Sequence, residues 1–392
     1  MEAKRERAES EPTPAASAAA APAAAAASVL CDDDLLHEIL LHLDFPTCLV
    51  RAAAVCRRWL RAASDPTFLH RFRGLHPPRL LGSYVVTTGH PRVRFVPMPQ
   101  PPEVAAVIRR GSFDLPDDAI AVSDCRNGRL IVLVRGRYAV YSPLHPARGT
   151  VSLPRIYMLC PPTVYRPLLP EDAGDRTAVT LVLNDQRVCV HLSDLQEGAW
   201  GEGLTSDLTE LPKQWRNCAF GLLAYGKLYM IRMVGHILGL DLQSRSLFYI
   251  NLPEGVEYES DVNFELSRAE GSGFYLIHAK GFEIFVWLHS TGCSSGNWEL
   301  VNSFCLHQVL GHLADPTWHL ECDNVQVAAV GDNADFVLLQ IKHEVFCMHI
   351  RSRTVKKVYE SQESELDIDI HPFVMVWPPT FPGLNDGRDL VE

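Results

Sequence analysis

Paired cysteines are missing from this sequence. Its eleven cysteines are scattered singly through 392 residues, and no Cys-x-x-Cys occurs. Zinc ribbons and RING-type sites need such pairs and are excluded. Single thiols beside apolar neighbours fit a reducing compartment, so a cytoplasmic or nuclear location is expected. No apolar run reaches the roughly 18 residues that cross a bilayer, and no membrane partner is expected. There is no Gly-x-x-x-x-Gly-Lys-Ser/Thr loop, no His-Glu-x-x-His and no Gly-x-Ser-x-Gly, so the commonest phosphate, zinc-protease and serine-hydrolase signatures are absent. Basic charge is also short: 36 Lys and Arg face 47 Asp and Glu, a net of −11, which argues against nucleic acid as a partner. What the chain has in quantity is 27 Pro and 25 Gly, which leave no room for mainly long helices and favour many short elements.

Composition divides the chain. Residues 1–28 are rich in Ala, Pro and Ser, and read as a disordered tail rather than a signal peptide, because alanine is too weakly apolar to form its core. The cluster Lys4, Arg5, Arg7 is interrupted by Glu6 and reads as solvated. Residues 381–392 read as a second tail.

Residues 29–75 carry helical periodicity. Leu35, Leu36, Ile39, Leu40 and Leu43 recur at helical steps behind Asp32, Asp33 and Asp34, which can cap the first turn. Asp44-Phe45-Pro46 breaks the run, and Pro46 is placed to open a second helix carrying Leu49 and continuing through Val55, Cys56, Trp59 and Leu60. Asp65-Pro66 stops that helix, and Phe68, Leu69 and Phe72 mark a third. The apolar stripes are wider than three short helices need for one another, so a partner or a following domain should cover the excess. Charge is split: residues 29–50 hold five acids and no Lys or Arg, whereas residues 51–80 hold seven Arg and one Asp. A basic rim that orients an acidic partner is one reading of the second stretch, and a solvated helix face is the other.

In order, Leu35-Leu36-x-x-Ile39-Leu40-x-x-Leu43-x-x-Pro46-x-x-Leu49-x-Arg51, then Val55-Cys56-Arg57-x-Trp59, then Asp65-Pro66-x-Phe68-Leu69, resemble an F-box. One departure is Leu30-Cys31, where such families usually have Leu-Pro. The resemblance implies a small three-helix clamp that docks on an SKP-type adaptor and, through it, on a cullin and a RING subunit. By motif matching, Leu35, Leu36, Ile39, Leu40, Pro46, Leu49, Val55, Cys56 and Trp59 would lie at or behind that interface. Leu35 and Pro46 are favoured for the interface itself. Trp59 divides evenly between interface and core.

From residue 79 the period changes to short β-rich runs. Asn127-Gly128-Arg129-Leu130-Ile131-Val132-Leu133 leads to Tyr138–Tyr141 and ends at Leu153-Pro154; Tyr225-Gly226-Lys227-Leu228-Tyr229-Met230-Ile231 leads to Ile237–Asp241 and ends at Leu252-Pro253. Gly128 and Gly226 are 98 residues apart, and half of that is about 49, the spacing of propeller blades. Weaker copies around Thr180–Leu183, Gly273–Ile277 and Phe336–Leu339, with an opening copy around Leu80–Val86, bring the count to about six. The expected architecture is therefore multidomain: a helical module, then a roughly six-bladed β-propeller-like domain over residues 79–380. A β-sandwich pair is the rival. An F-box before a degenerate Kelch-like, F-box-associated β region resembles the large F-box families of grasses.

No constellation in the chain points to chemistry. Asp117-Asp118 and Glu171-Asp172 adjoin turn residues, and His343, His349 and His371 read as strand or loop positions. His319 and Cys322 have ligand-like spacing but no second pair, so neither a metal nor a cofactor is expected. The acidic stretch from Glu360 to Asp369 reads as a linker before a last strand, Phe373–Trp377. The resemblance implies a non-catalytic substrate receptor of an SKP–cullin–F-box ubiquitin ligase, with an unidentified target protein held by the β domain. The alternative is a propeller-type carbohydrate binder or enzyme without a ligase role.

Overall fold

The computed structural model describes residues 32–381, apart from 88–91, 155–163, 170–176, 185–186, 197–198, 201–208, 211–219, 234–235, 245, 258–260, 272, 291–296, 314–324, 362–367 and 380. The N-terminal tail, Leu30-Cys31, Glu171-Asp172, His319 and Cys322 lie outside the described residues. The chain forms two compact units, one of residues 1–78 with 376–392 and one of residues 79–375.

The first unit holds α1 (Asp33–Leu41), α2 (Pro46–Ala53), α3 (Arg57–Ser64) and α4 (Pro66–Leu75). Asp32 caps α1, its carboxylate accepting from the backbone N–H of Asp34 and Leu35 at 2.9 and 3.1 Å. Pro46 occupies the first turn of α2, where its missing N–H costs nothing. The single second helix expected from the sequence is two helices. Cys56 is extended (φ −162°, ψ 167°) and ends the run that Ala54 and Val55 had begun to leave. Asp65 then separates α3 from α4 and caps α4 through Phe68 N–H at 2.9 Å. Leu36, Leu40, Leu41, Leu49, Ala53, Ala63, Phe68 and Phe72 form one buried cluster. Trp377 and Phe381, far away in sequence, pack against it. The helical unit thus borrows residues that the sequence reading gave to the end of the β domain and to the tail, because no helical period marks a strap that returns along the chain.

The second unit is a ring of antiparallel sheets. Strands β1 (Leu80–Thr87) and β2 (Val93–Pro97) open it, and helix α5 (Pro102–Arg110) follows. The next sheet is β3 (Ala119–Arg126), β4 (Arg129–Val134), β5 (Arg137–Tyr141) and β6 (Val151–Ser152). Then come β7 (Val164–Leu168), β8 (Thr177–Asn184), β9 (Arg187–Gln196) and β10 (Ala199–Trp200), with β11 (Thr209–Glu210) also on β9. Three four-stranded sheets complete the series. They are β12 (Phe220–Ala224) to β15 (Ser246–Asn251) through β13 (Lys227–Met233) and β14 (His236–Asp241); β16 (Phe264–Arg268) to β19 (Asn297–Cys305) through β17 (Phe274–Lys280) and β18 (Glu283–Ser290); and β20 (Val325–Val330) to β23 (Thr354–Glu360) through β21 (Phe336–Ile341) and β22 (Glu344–His349). Strand β24 (Ile368–Val374) pairs with β1, so the last strand of the unit completes its first sheet. Five sheets have four or more strands and the sixth has three.

The 98-residue interval between Gly128 and Gly226 spans two sheets, as the halved period predicts. Both glycines sit at positive φ (69° and 68°) in the tight turn from the first strand to the second, where a side chain would be strained. The last strand begins at Ile368 rather than Phe373, because Ile368 and Ile370 already alternate onto β1. Helices α5 and α6 (Leu306–Leu310) were not legible among the surrounding β-rich runs.

Sheet faces interlock around the ring. Ile277, Ile284 and Val286 pack on Val337, Leu339 and Phe346; Leu222, Tyr229 and Ile237 pack on Leu266, Phe274 and Leu276. At about 25 cal/mol per Å2 of apolar surface, each fully buried Leu or Ile contributes roughly 2 kcal/mol. Polar bonds also join neighbouring sheets. Leu169 N–H donates to Asp124 Oδ2 at 2.7 Å, Ser123 Oγ donates to the Pro167 carbonyl at 2.8 Å, and Ser267 Oγ donates to the Gly331 carbonyl at 2.6 Å. Arg126 Nη1 reaches the Leu223 carbonyl at 2.9 Å, tying β3 to β12.

Candidate functional site: the exposed face of the helical unit

Helix α1 has two apolar faces. Leu36, Leu40 and Leu41 are at most 2% exposed and form core. Leu35 and Ile39, one helical turn apart, are 44% and 39% exposed. Val55, just past α2, is 66% exposed, and Cys56 beside it is exposed too. An isolated exposed Leu needs no explanation, but an apolar pair at i and i+4 on a helix whose other face is fully packed is a surface awaiting cover.

The residues singled out by motif therefore separate. Leu35, Ile39, Val55 and Cys56 are open to solvent, and Trp59 is half-buried against the cluster. Leu36, Leu40, Pro46 and Leu49 are buried within the unit. Pro46, favoured from sequence for an exposed edge, packs inward, because α2 starts directly against the core. These four shape the surface from behind.

Charge surrounds the apolar pair. Arg58 Nε donates to Asp33 Oδ1 at 2.8 Å, and Arg71 Nη2 donates to Glu38 Oε1 at 2.8 Å. The acidic start and basic continuation read from the sequence are thus partly satisfied inside the unit, where they brace α1 against α3 and α4. Exposed pairs of this kind are worth about 0–1 kcal/mol each, so they orient more than they stabilise. Arg51, Arg57 and Arg61 are exposed as well. Sequence reasoning missed Trp377 and Phe381; an aromatic residue far from the module carries no local signal of where it docks.

Among the described residues, no group of three or more His, Cys, Asp and Glu could hold a metal ion, and no helix is long and apolar enough to cross a membrane. The Asp117-Asp118 pair resolves into an ion pair of Asp118 with Arg135.

Comparison with known proteins agrees with this geometry. A family model described as F-box-like matches residues 33–74. A second, described as F-box protein AT5G49610-like, beta-propeller, matches residues 121–381. No curated protein matches the chain significantly. Solved structures that resemble it include the β-propeller domain of Cps50 (Swd1) from Myceliophteria thermophila, at 12% identity and a TM-score of 0.36, covering 61% of this chain and 71% of that one. A protein of unknown function from Bacteroides thetaiotaomicron is similar at 11% identity and a TM-score of 0.38, covering 76% and 68%. Prolyl oligopeptidase B from Galerina marginata is similar at 10% identity and a TM-score of 0.32, covering 70% of this chain but 39% of that one. At such scores these likenesses carry nothing about activity or partners. The family matches extend over more than half of the sequence and coincide with the helices and the ring of sheets: the chain belongs to the AT5G49610-like F-box proteins, an F-box-like helical segment followed by a β-propeller.

Proposed function

We propose that this protein is the substrate-receptor subunit of an SKP–cullin–F-box ubiquitin ligase. The observation that carries the reading is the exposed Leu35–Ile39 pair, with Val55, on a helical unit whose own core is already filled. An SKP-type adaptor would cover that pair and connect the chain to cullin and RING subunits. The propeller would hold a target protein. The subunit makes and breaks no bonds; it raises the effective concentration of a target lysine near the charged conjugating enzyme. A cytoplasmic or nuclear location goes with this reading.

The experiment is co-purification of the full chain with an SKP-type adaptor, with and without Leu35→Asp combined with Ile39→Asp. Both side chains are exposed, so the fold should survive while adaptor capture is lost. Undiminished capture by the double variant would overturn the assignment. Turnover of a glycan or peptide by the wild-type chain, with no adaptor captured, would favour the propeller-enzyme alternative.

A further inference from the structure

The chain passes between its two compact units twice, once from Pro78 to Arg79 and once from Met375 to Val376. Both passages are held close on either side. Within the ring they are bonded to each other: Met375 N–H donates to the Arg79 carbonyl at 2.9 Å. The pairing of β24 with β1 continues from there, from Leu80 with Val374 to Thr87 with Ile368. Within the helical unit, His76 Nε2 donates to the Leu41 carbonyl at 2.8 Å, and the indole of Trp377 stacks on Phe72. Val376 alone separates Met375, at the end of the ring, from Trp377, in the helical core.

Strand β24 closes the ring, because it is the last strand in sequence and sits in the first sheet. Among the described strands it pairs with β1 only. Its Phe373 is fully buried, with its ring 5.4 Å from Phe113 and 6.0 Å from Tyr84. Its Ile370 packs in a cluster with Leu80, Phe336, Leu338 and Val345. A strand held by one ladder near the end of a fold frays and re-pairs locally. Here the fraying end is tethered. With Trp377 docked, two residues of chain keep the end of β24 within about 7 Å of the indole. Re-pairing is then an intramolecular event at high effective concentration. The converse holds equally: a paired β24 presents Trp377 to Phe72. Linkage requires each docking to favour the other by the same factor.

We infer that this strap makes closure of the ring a condition of adaptor capture. The helical core is complete only when β24 has paired with β1, and release of β24 loosens α1 and α4 with it. A chain whose ring has not closed presents Leu35 and Ile39 on an unfinished core, and is thereby kept out of the ligase. The inference rests on the receptor reading for the word adaptor. The coupling of strand to helices belongs to the chain alone and needs no partner.

Amide hydrogen exchange on the full chain tests this, beside capture of an SKP-type adaptor. Ile370→Ala weakens β24 from inside the ring. It should speed exchange by about fivefold or more in β24 and also in α1 and α4, and lower adaptor capture. A flexible Gly-Ser insertion between Met375 and Val376 leaves both docking surfaces intact but lengthens the tether. In that background Ile370→Ala should speed exchange in β24 and leave α1 and α4 unchanged. Helices indifferent to Ile370→Ala overturn the proposal, and so do helices loosened equally with and without the insertion. Should Ile370→Ala not fold, Trp377→Ala carries the test in reverse: exchange in β24 must rise, and unchanged protection there overturns the coupling. Coupled exchange with no adaptor captured by the wild type counts against the receptor reading alone. Adaptor captured by the wild type, with uncoupled exchange, counts against the strap alone.

Discussion

The indole of Trp377 stacks on the ring of Phe72, with centroids 6.1 Å apart and planes 5° from parallel. Phe72 is the buried centre of α4, itself 5.9 Å from Phe68 and 4.6 Å from the His76 ring. The helical unit is therefore finished by residues from far along the chain. Trp377→Ala should destabilise the helical unit by about 1–3 kcal/mol, the loss expected for a half-buried aromatic contact. A stop codon after Met375 should do the same or more. Amide hydrogen exchange over residues 33–75 reads this out: faster exchange in α1 and α4 is expected, and unchanged protection would show that Trp377 adds nothing.

Asp124 offers a comparable test within the ring. Its carboxylate accepts from Cys125 N–H at 2.9 Å and from Leu169 N–H at 2.7 Å, holding the start of one sheet to the next. Asp124→Ala leaves these donors unsatisfied in a confined place, which costs roughly 1–3 kcal/mol. A lowered urea midpoint, with adaptor capture unaffected, is expected. Asp124→Asn keeps an acceptor and should recover part of the loss.

Gly239 on β14 has a different reason to be glycine. Its φ is unremarkable, but a Cβ built there would lie 2.0 Å from Phe248, whose ring lies across it from β15. Gly239→Ala must push the ring off Tyr229, with which it makes an edge contact at 6.0 Å. A loss of about 1–3 kcal/mol is expected from overpacking, larger for Gly239→Val. Pairing it with Phe248→Leu should relieve most of the cost, and a thermal-unfolding double-mutant cycle measures that coupling.

His278 makes stability depend on pH. The ring is 3% exposed, stacks on Phe264 at 4.5 Å, and has no hydrogen-bond partner among the described residues at either nitrogen. Burial, with a smaller contribution from Lys280, pushes its pKa down to about 4. The unfolded chain protonates near 6.5, so between those values it binds more protons than the folded chain, and stability rises with pH. The stabilisation is complete above about pH 6.5 and is lost as pH falls toward 4, by on the order of 3 kcal/mol from this residue. His289, buried as well and also lowered by burial, adds in the same direction. Chemical denaturation at pH 7 and pH 5 should show a smaller difference for His278→Leu than for the wild type; an equal difference would assign the slope to other groups.

Much of this protein was written in local pattern. Asp32 as a cap, Asp65-Pro66 as a helix stop, Pro46 as a helix opener, Gly128 and Gly226 as turns, and the near-49-residue period are each set by a few neighbouring residues and their dihedral preferences. Sequence order alone determined that helices come first and a ring of short strands follows. Tertiary structure decided what depends on contacts across hundreds of residues. It turned Pro46 inward and left Leu35 and Ile39 outside, because the faces of α1 are assigned by what α2, α3 and α4 can cover. It began the last strand at Ile368, because β1 was waiting for a partner. It returned Trp377 to Phe72, because the path of the chain, not local composition, fixes which distant aromatic ring completes a helical core.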